Sequence, residues 1–133
     1  VLTARIFRHW PGNAIGVRTL RPIPKDAWTH VAVTYDGSSR AAGLRIYVNG
    51  RPAESEVVRD RLWKGTGRHT LTFGQRFRDR GFQGGLIDEL SLFRRSLSPL
   101  EVAQTMDGRS LAAALADPKT PEAELRATYL SAF

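Results

Sequence analysis

The stretch WTHVAVTYDG, Trp28–Gly37, holds the strongest strand signal in this 133-residue chain. It is rich in the β-branched and aromatic residues that favour strands. Because side chains of a strand alternate between its two faces, two sets of four residues each share a face: Thr29, Val31, Val33 and Tyr35, and Trp28, His30, Ala32 and Thr34. Asp36 and Gly37, which follow directly, favour a turn at the end of this strand. We therefore predict a strand over residues 28–35.

Upstream, the sequence predicts a hairpin. Leu2–Arg8 and Ala14–Leu20 alternate apolar and polar residues, and Trp10-Pro11-Gly12-Asn13 separates them. Pro and Gly in that linker favour a turn between two strands. Arg21–Pro24 is excluded from a central strand, because each proline lacks the N–H donor that a sheet requires.

Downstream, further strands are predicted. Leu44–Asn49 alternates, and Asn49-Gly50 is the pair that a type I′ turn favours, so Arg51–Val58 is expected to return as its partner strand. Leu71–Gly74 is predicted as a short strand and Gly85–Arg94 as a long one. Short strands separated by turn signals, with no helix between them, favour an antiparallel sandwich. The long strand places an acid on its core side among three leucines: Asp88 with Leu86, Leu90 and Leu92.

The pattern becomes helical at Ser98. Ser98-Pro99-Leu100-Glu101 is a capping box with proline at the first helical position, and Asp107-Gly108 ends that helix after about Met106. Two more short helices are predicted, over about 110–116 and 120–130.

Composition excludes several classes of protein. The chain has no cysteine, so disulfides, thiolate metal sites and thiol nucleophiles are excluded, and its longest apolar run is too short to span a membrane. The net charge is +7, and all of it arises in residues 1–107, which hold 17 Lys and Arg against 10 Asp and Glu. Most of these bases are arginine, whose planar fork suits sulfate, carboxylate and phosphate.

Four motifs occur in one order: WTHVAVTYDG (28–37), LRIYVNG (44–50), LTFGQR (71–76) and FQGGLIDELSLFRRSLSPLEV (82–102). Together they resemble the laminin-G-like domains of the concanavalin A-like lectin/glucanase superfamily. The phrase YDGSSRAAGLRIYVNG is also similar to lectin-like domains of large bacterial secreted proteins. Trp28, His30, Asp88 and Glu89 match the family motifs, which implies structural roles for them.

The resemblance implies an all-β fold, an antiparallel two-sheet jelly-roll sandwich that lacks its N-terminal strands and is followed by short C-terminal helices. We expect residues 1–107 to form this partial sandwich with its closing helix, and residues 108–133 to form a helical extension. The expected setting is a multidomain protein that is secreted, periplasmic or on the cell surface, with its other domains as partners.

Catalysis is not expected. A glycosidase needs two carboxyl groups flanking one bond, and the adjacent Asp88 and Glu89 would point to opposite faces of a strand. The resemblance also implies calcium as a cofactor of some members, with Asp36 and Asp79 as candidate ligands on loops.

The expected function is carbohydrate binding, which needs aromatic platforms and planar polar groups. The candidates are Trp10 and Trp63 beside turns, and the alternating Arg76, Arg78 and Arg80, a set that suits acidic or sulfated polysaccharide through bidentate contacts. The alternative interpretation is a structural or protein-interaction module, in which the tryptophans fill a core and the arginines are solvated. Nucleic acid is not an expected partner, since no recognition helix or basic helix is indicated.

Overall fold

A computed structural model describes residues 1–63, 67, 74, 81 and 84–108. Within them lie six strands, one 3₁₀ turn over Ala41–Gly43 and one α-helix. The strands are β1 (Thr3–His9), β2 (Asn13–Thr19), β3 (Val31–Tyr35), β4 (Leu44–Val48), β5 (Arg51–Pro52) and β6 (Ser55–Arg61), and the helix is α1 (Pro99–Asp107).

Sheet A has the strand order β1-β2-β6 and is antiparallel throughout. The predicted hairpin around Trp10–Asn13 is confirmed, with Arg5 opposite Gly16 and Phe7 opposite Ala14. On the far side of β2, Gly16 lies opposite Arg59. A bulge follows in this ladder, between Gly16 and Val17 of β2, where the register with β6 shifts.

Sheet B has the order β3-β4-β5. Val31, Val33 and Tyr35 lie opposite Val48, Ile46 and Leu44, so the face predicted for these β3 residues is confirmed. The strand itself begins at Val31, later than predicted, and Trp28 precedes it. The Asn49-Gly50 turn is confirmed as well: both residues have positive φ, at 50° and 73°.

The returning strand predicted over Arg51–Val58 is divided between the two sheets. β5 pairs with β4 for two residues only, and the chain then crosses through Ala53 and Glu54 into β6, which pairs with β2. The Ala53 N–H donates to the Ile46 carbonyl and the Leu20 N–H to the Glu54 carbonyl, so the crossing residues are bonded to both sheets.

The core lies between the sheets. Its buried side chains come from β1, β2, the 3₁₀ turn and β4: Ala4, Ile15, Val17, Ala41, Leu44 and Ile46. Asp60 of β6 accepts a hydrogen bond from the Ala41 N–H at 2.8 Å, which fastens the 3₁₀ turn to sheet A. The two antiparallel sheets and one short helix agree with the sandwich expected from the sequence.

Helix α1 begins and ends as predicted. Ser98 Oγ accepts from the Glu101 N–H and Glu101 accepts from the Ser98 N–H, which completes the capping box, and Gly108 closes the helix in the left-handed conformation. Val102 is fully buried, and Ala103 lies against the β4–β5 turn, where a Cβ on Gly50 would be 3.3 Å from its Cα. The helix therefore covers the end of sheet B.

The strand predicted over Gly85–Arg94 is not present. Residues 85–94 have no strand pairing, and the three leucines expected in the core are 54–78% exposed. The acid expected on the core side, Asp88, is exposed too, because its segment joins neither sheet. The predicted strand over residues 71–74 and the two further helices fall outside the described residues, apart from Gly74.

Candidate functional site

The outward face of sheet A gathers aromatic and basic side chains at one end of the sheet. Cross-strand partners share a face, so Arg5, Gly16 and Arg59 lie side by side on it, as do Phe7, Ala14 and Arg61. Trp10 in the β1–β2 turn and Trp63 just after β6 adjoin the same end. We call this surface the Trp–Arg face and define it by five residues: Arg5, Trp10, Arg59, Arg61 and Trp63.

Trp10 is held over the strands by its neighbours. The Arg5 guanidinium carbon lies 4.4 Å from the centre of the indole ring, and Phe7 meets the ring edge-on with centroids 6.4 Å apart. Gly16 lies directly below, and a Cβ there would be 3.6 Å from Trp10 Cζ3. The indole therefore lies within van der Waals distance of the sheet at Gly16. Trp10 remains 39% exposed.

Trp63 is fixed to the same turn through its backbone. Its N–H donates to Asn13 Oδ1 at 3.0 Å, and Asn13 is itself 1% exposed. The Arg61 guanidinium carbon lies 5.4 Å from the indole centre, while the ring stays 55% exposed. Each tryptophan therefore has one arginine stacked on it, and the buried amide of Asn13 fixes where Trp63 leaves the sheet.

Arg59 is bonded to the β1–β2 turn. Its Nε donates to the Pro11 carbonyl at 2.8 Å, which leaves four of its five N–H donors for other partners. Within the described residues, none of the three arginines of the Trp–Arg face has a carboxylate partner. The next arginine on this face, Arg18, is neutralised by an ion pair with Glu56. The three arginines at the end that holds the tryptophans therefore carry positive charge that no described carboxylate offsets.

This arrangement suits binding of a flat, anionic ligand. Indole rings offer apolar faces with a polar N–H at the edge. A guanidinium stacked on an aromatic ring keeps its in-plane N–H groups free, and those groups match carboxylate and sulfate oxygens two at a time. Stacking also holds the fork in place before a ligand arrives, which reduces the entropy lost on binding.

The structure brings two of the sequence candidates together and leaves three undescribed. Trp10 and Trp63 both lie at one end of sheet A, although 53 positions separate them in the sequence. Arg76, Arg78 and Arg80 lie outside the described residues. Sequence reasoning missed Arg5 and Asn13. Arg5 could have been found from the hairpin alternation, because it lies opposite Gly16 in the hairpin. The bond from Trp63 to Asn13 depends instead on the long-range pairing of β2 with β6.

Asp36 accepts hydrogen bonds within a turn. Its Oδ1 accepts the Ser38 N–H at 2.8 Å, and hydrogen bonding from the Ser38 side chain and backbone, with a contribution from Arg45, lowers its pKa. Among the described residues, no three acidic or histidine side chains converge as metal ligands. Calcium requires six to eight oxygens, so these residues alone do not fit it. The second candidate ligand, Asp79, lies outside the described part of the chain.

The motif residues occupy different environments. Trp28 is 69% exposed and precedes β3. His30 exchanges two hydrogen bonds with Asn49 and approaches Thr105 of α1, with Nε2 3.4 Å from the threonine hydroxyl. His30 thereby links β3, the β4–β5 turn and the helix.

Asp88 and Glu89 lie next to each other on the exposed segment. Asp88 Oδ1 accepts the Glu89 N–H at 2.8 Å, and Glu89 has a φ of 50°. Because the expected strand is absent, the two carboxylates are not directed to opposite faces of a sheet, as the sequence predicted. The Asp88 carboxylate is instead engaged in a local turn.

Comparison with known proteins identifies a family. A family model of the concanavalin A-like lectin/glucanases superfamily matches residues 4–103. No curated protein and no solved structure shows significant similarity to the chain. Among the described residues, no helix is long and apolar enough to cross a membrane.

Proposed function

The chain belongs to the concanavalin A-like lectin/glucanase superfamily, and we propose that it is a non-catalytic module that binds acidic or sulfated polysaccharide through the Trp–Arg face. Domains of this superfamily often bind carbohydrate or mediate interactions. The proposal also includes the setting expected from the sequence, a larger secreted, periplasmic or cell-surface protein.

The observation that supports this proposal best is the pairing of each exposed indole with a stacked arginine that has no acidic partner in the described part of the chain. Indole faces stack on the apolar faces of sugar rings, and the forks bind sulfate or carboxylate groups at the ring edges. Two such pairs on one surface suit successive units of a linear chain. A neutral polysaccharide would leave the three guanidinium groups without counter-charges.

The direct experiment is a tryptophan fluorescence titration of the whole chain with a sulfated oligosaccharide. Trp10→Ala and Trp63→Ala are each expected to weaken binding about tenfold, because a lost aromatic contact of this kind costs about 1–2 kcal/mol. Arg61→Gln is expected to weaken it similarly through loss of a charge-assisted pair.

Trp28→Ala is the matched control. Trp28 is the most exposed tryptophan of the three, but it precedes a strand of sheet B, so its removal should leave affinity unchanged. Equal losses in Trp28→Ala and Trp10→Ala would contradict the proposal. Saturable binding that is insensitive to Trp10, Trp63 and Arg61 together would contradict it as well.

Protein interaction is the second candidate function, and exposed apolar side chains favour it. Val31 and Val33 of β3 are 42% and 53% exposed on the face that points toward the core, and among the described residues β3 is an edge strand of sheet B. Such edges add strands from partners. A folded chain that binds no sulfated or uronic glycan would leave this as the supported function, and binding of another domain of the parent protein that Val33→Lys abolishes would test it.

A further inference from the structure

Residues 86–93 form an exposed apolar segment that belongs to neither of the described sheets. Its large apolar side chains are each more than half exposed: Leu86, Ile87, Leu90, Leu92 and Phe93. Single exposed apolar residues are ordinary on a protein surface, whereas a run of five within eight positions indicates a surface that a partner covers. We call this stretch the 86–93 segment.

Two acids lie in the middle of the segment without a basic partner. The Asp88 carboxylate accepts the Glu89 N–H at 2.8 Å, and in the described part of the chain neither acid forms an ion pair. Glu89 has a φ of 50°, so the backbone bends at the acids. Of the two arginines that follow the segment, Arg95 is paired with Glu101, and Arg94 lies beyond the apolar run. The segment therefore presents two unpaired carboxylates with apolar side chains on both sides of them.

The Trp–Arg face has the complementary composition. Its three arginines have no carboxylate partner among the residues that the structure describes, and the rings of Trp10 and Trp63 are partly exposed. Phe7, which contacts Trp10, is partly exposed too. The groups that this face lacks are two carboxylates and apolar side chains to cover its rings, and the 86–93 segment carries both. Opposite charges and apolar contact are the features by which protein surfaces select their partners.

The spacing of the charges also fits. Arg59 and Arg61 are two positions apart on β6, so their Cα atoms lie about 7 Å apart on one face of the sheet. Asp88 and Glu89 are consecutive, with Cα atoms about 3.8 Å apart. Because arginine and glutamate have long side chains, two ion pairs can form across this difference.

We propose that the 86–93 segment of one copy docks on the Trp–Arg face of a second copy of this chain. Asp88 and Glu89 pair with Arg59 and Arg61, and the leucines cover the indole rings. The segment does not cover the face of its own chain, since both surfaces are exposed there. Each copy offers one segment and one face, so the contact is head-to-tail. The segment is shorter than the roughly 20 residues a side of a stable interface, so we expect a Kd on the order of 100 µM.

This docking would regulate the proposed function. The docked segment covers the same face that we assign to acidic polysaccharide, so a second copy and the polysaccharide compete for it. The docking itself rests on the charges and exposures of the two surfaces, and only the competition rests on the proposed function.

The test is sedimentation velocity of the whole chain over a concentration series at low ionic strength. We expect the weight-average sedimentation coefficient to rise with concentration. Asp88→Lys with Glu89→Lys reverses the charges of the segment and should weaken association at least about tenfold. Arg59→Glu with Arg61→Glu reverses the charges of the face and should do the same. An equimolar mixture of these two double variants should associate within about threefold of the wild type, because every contact again joins opposite charges.

Asp26→Lys with Glu54→Lys is the matched control. Both residues are exposed, Asp26 has a positive φ as Glu89 does, and the pair changes the net charge by the same amount as the segment variant. Its association should stay within about threefold of the wild type, because the charges it reverses lie outside both surfaces. Circular dichroism of each variant shows whether it is folded.

Three results would overturn the docking. The first is a wild-type sedimentation coefficient that does not change over the series. The second is association that both charge reversals leave intact, as would occur if a partner strand added to the edge of β3 and Val33→Lys abolished the association instead. The third is a mixture of folded double variants that does not associate.

A titration with a sulfated oligosaccharide distinguishes this failure from failure of the proposed function. The variant that carries Asp88→Lys and Glu89→Lys keeps an intact Trp–Arg face and should bind the oligosaccharide at least as tightly as the wild type. Binding by this variant without association of the wild type would overturn the docking alone. Association without any binding of the oligosaccharide would support the docking and contradict the proposed function.

Discussion

Gly50 is the residue at which the β4–β5 turn and helix α1 approach most closely. Its φ is +73°, and an added Cβ would lie 3.3 Å from the Ala103 Cα and 3.4 Å from the Met106 sulfur. Gly50→Ala therefore combines a left-handed backbone with a contact against helix backbone that has little room to move. We expect it to lower the free energy of unfolding by about 2 kcal/mol, measured by urea denaturation.

Gly108 provides the matched control for this prediction. Its φ is +63°, but an added Cβ would have no neighbour within 4 Å. Gly108→Ala should cost only the backbone strain, about 1 kcal/mol. Equal losses for the two variants would contradict the close approach of the β4–β5 turn to α1.

At the scale of a single element, Glu101 stabilises the N-terminus of helix α1. It accepts from Arg95, with Nη1 2.9 Å from Oε2, and from the Ser98 N–H at 2.8 Å. These bonds, that from Arg95 foremost, lower its pKa from 4.5 to about 2. A lowered folded-state pKa stabilises the protein above pH 4.5, and that stabilisation is lost as the pH falls from 4.5 toward 2.

Glu101→Gln tests this pH dependence. Glutamine keeps the capping box but has no charge to lose. The variant should be less stable than the wild type at pH 7, by about 1 kcal/mol after allowance for solvent screening. The difference should shrink between pH 4.5 and 3, as measured by urea denaturation at each pH. A difference that stays constant over this range would refute the role of the Glu101 charge.

Elements whose signals are local were predicted well from the sequence. The Trp10–Asn13 and Asn49-Gly50 hairpins and the Ser98 capping box depend on residues within a few positions of each other, and all three are present. The alternating pattern of Gly85–Arg94 is also local, but a strand exists only when another strand pairs with it. No such pairing occurs in this segment, so the prediction of a strand was wrong.

The candidate site was likewise predicted only where its signals are local in the sequence. Trp10 and Trp63 were identified because exposed aromatic residues beside turns are suited to ligands. Their proximity depends on the β2–β6 ladder, which is set by the crossing at Ala53 and Glu54. The sequence predicted a single strand there, so the placement of the two tryptophans at one end of sheet A could not be predicted.

At the scale of the whole molecule, the positive charge of the Trp–Arg face should make binding there depend on salt. Binding of a sulfated oligosaccharide at the Trp–Arg face should weaken about tenfold as the ionic strength rises from roughly 0.05 to 0.5 M, because the Debye length falls over this range. Titrations at both ionic strengths provide the comparison, and binding that does not change with salt would contradict an anionic ligand at the Trp–Arg face.

The most direct test of the central claim is a glycan array probed with the whole chain at physiological salt, first with calcium and then with a chelator. We predict selective binding to sulfated or uronic glycans that Trp10→Ala and Trp63→Ala reduce and Trp28→Ala does not. If the chelator abolishes this binding, calcium is part of the site. If the binding persists in the chelator, the protein side chains alone account for it. A folded chain that binds no acidic glycan under either condition would contradict the account.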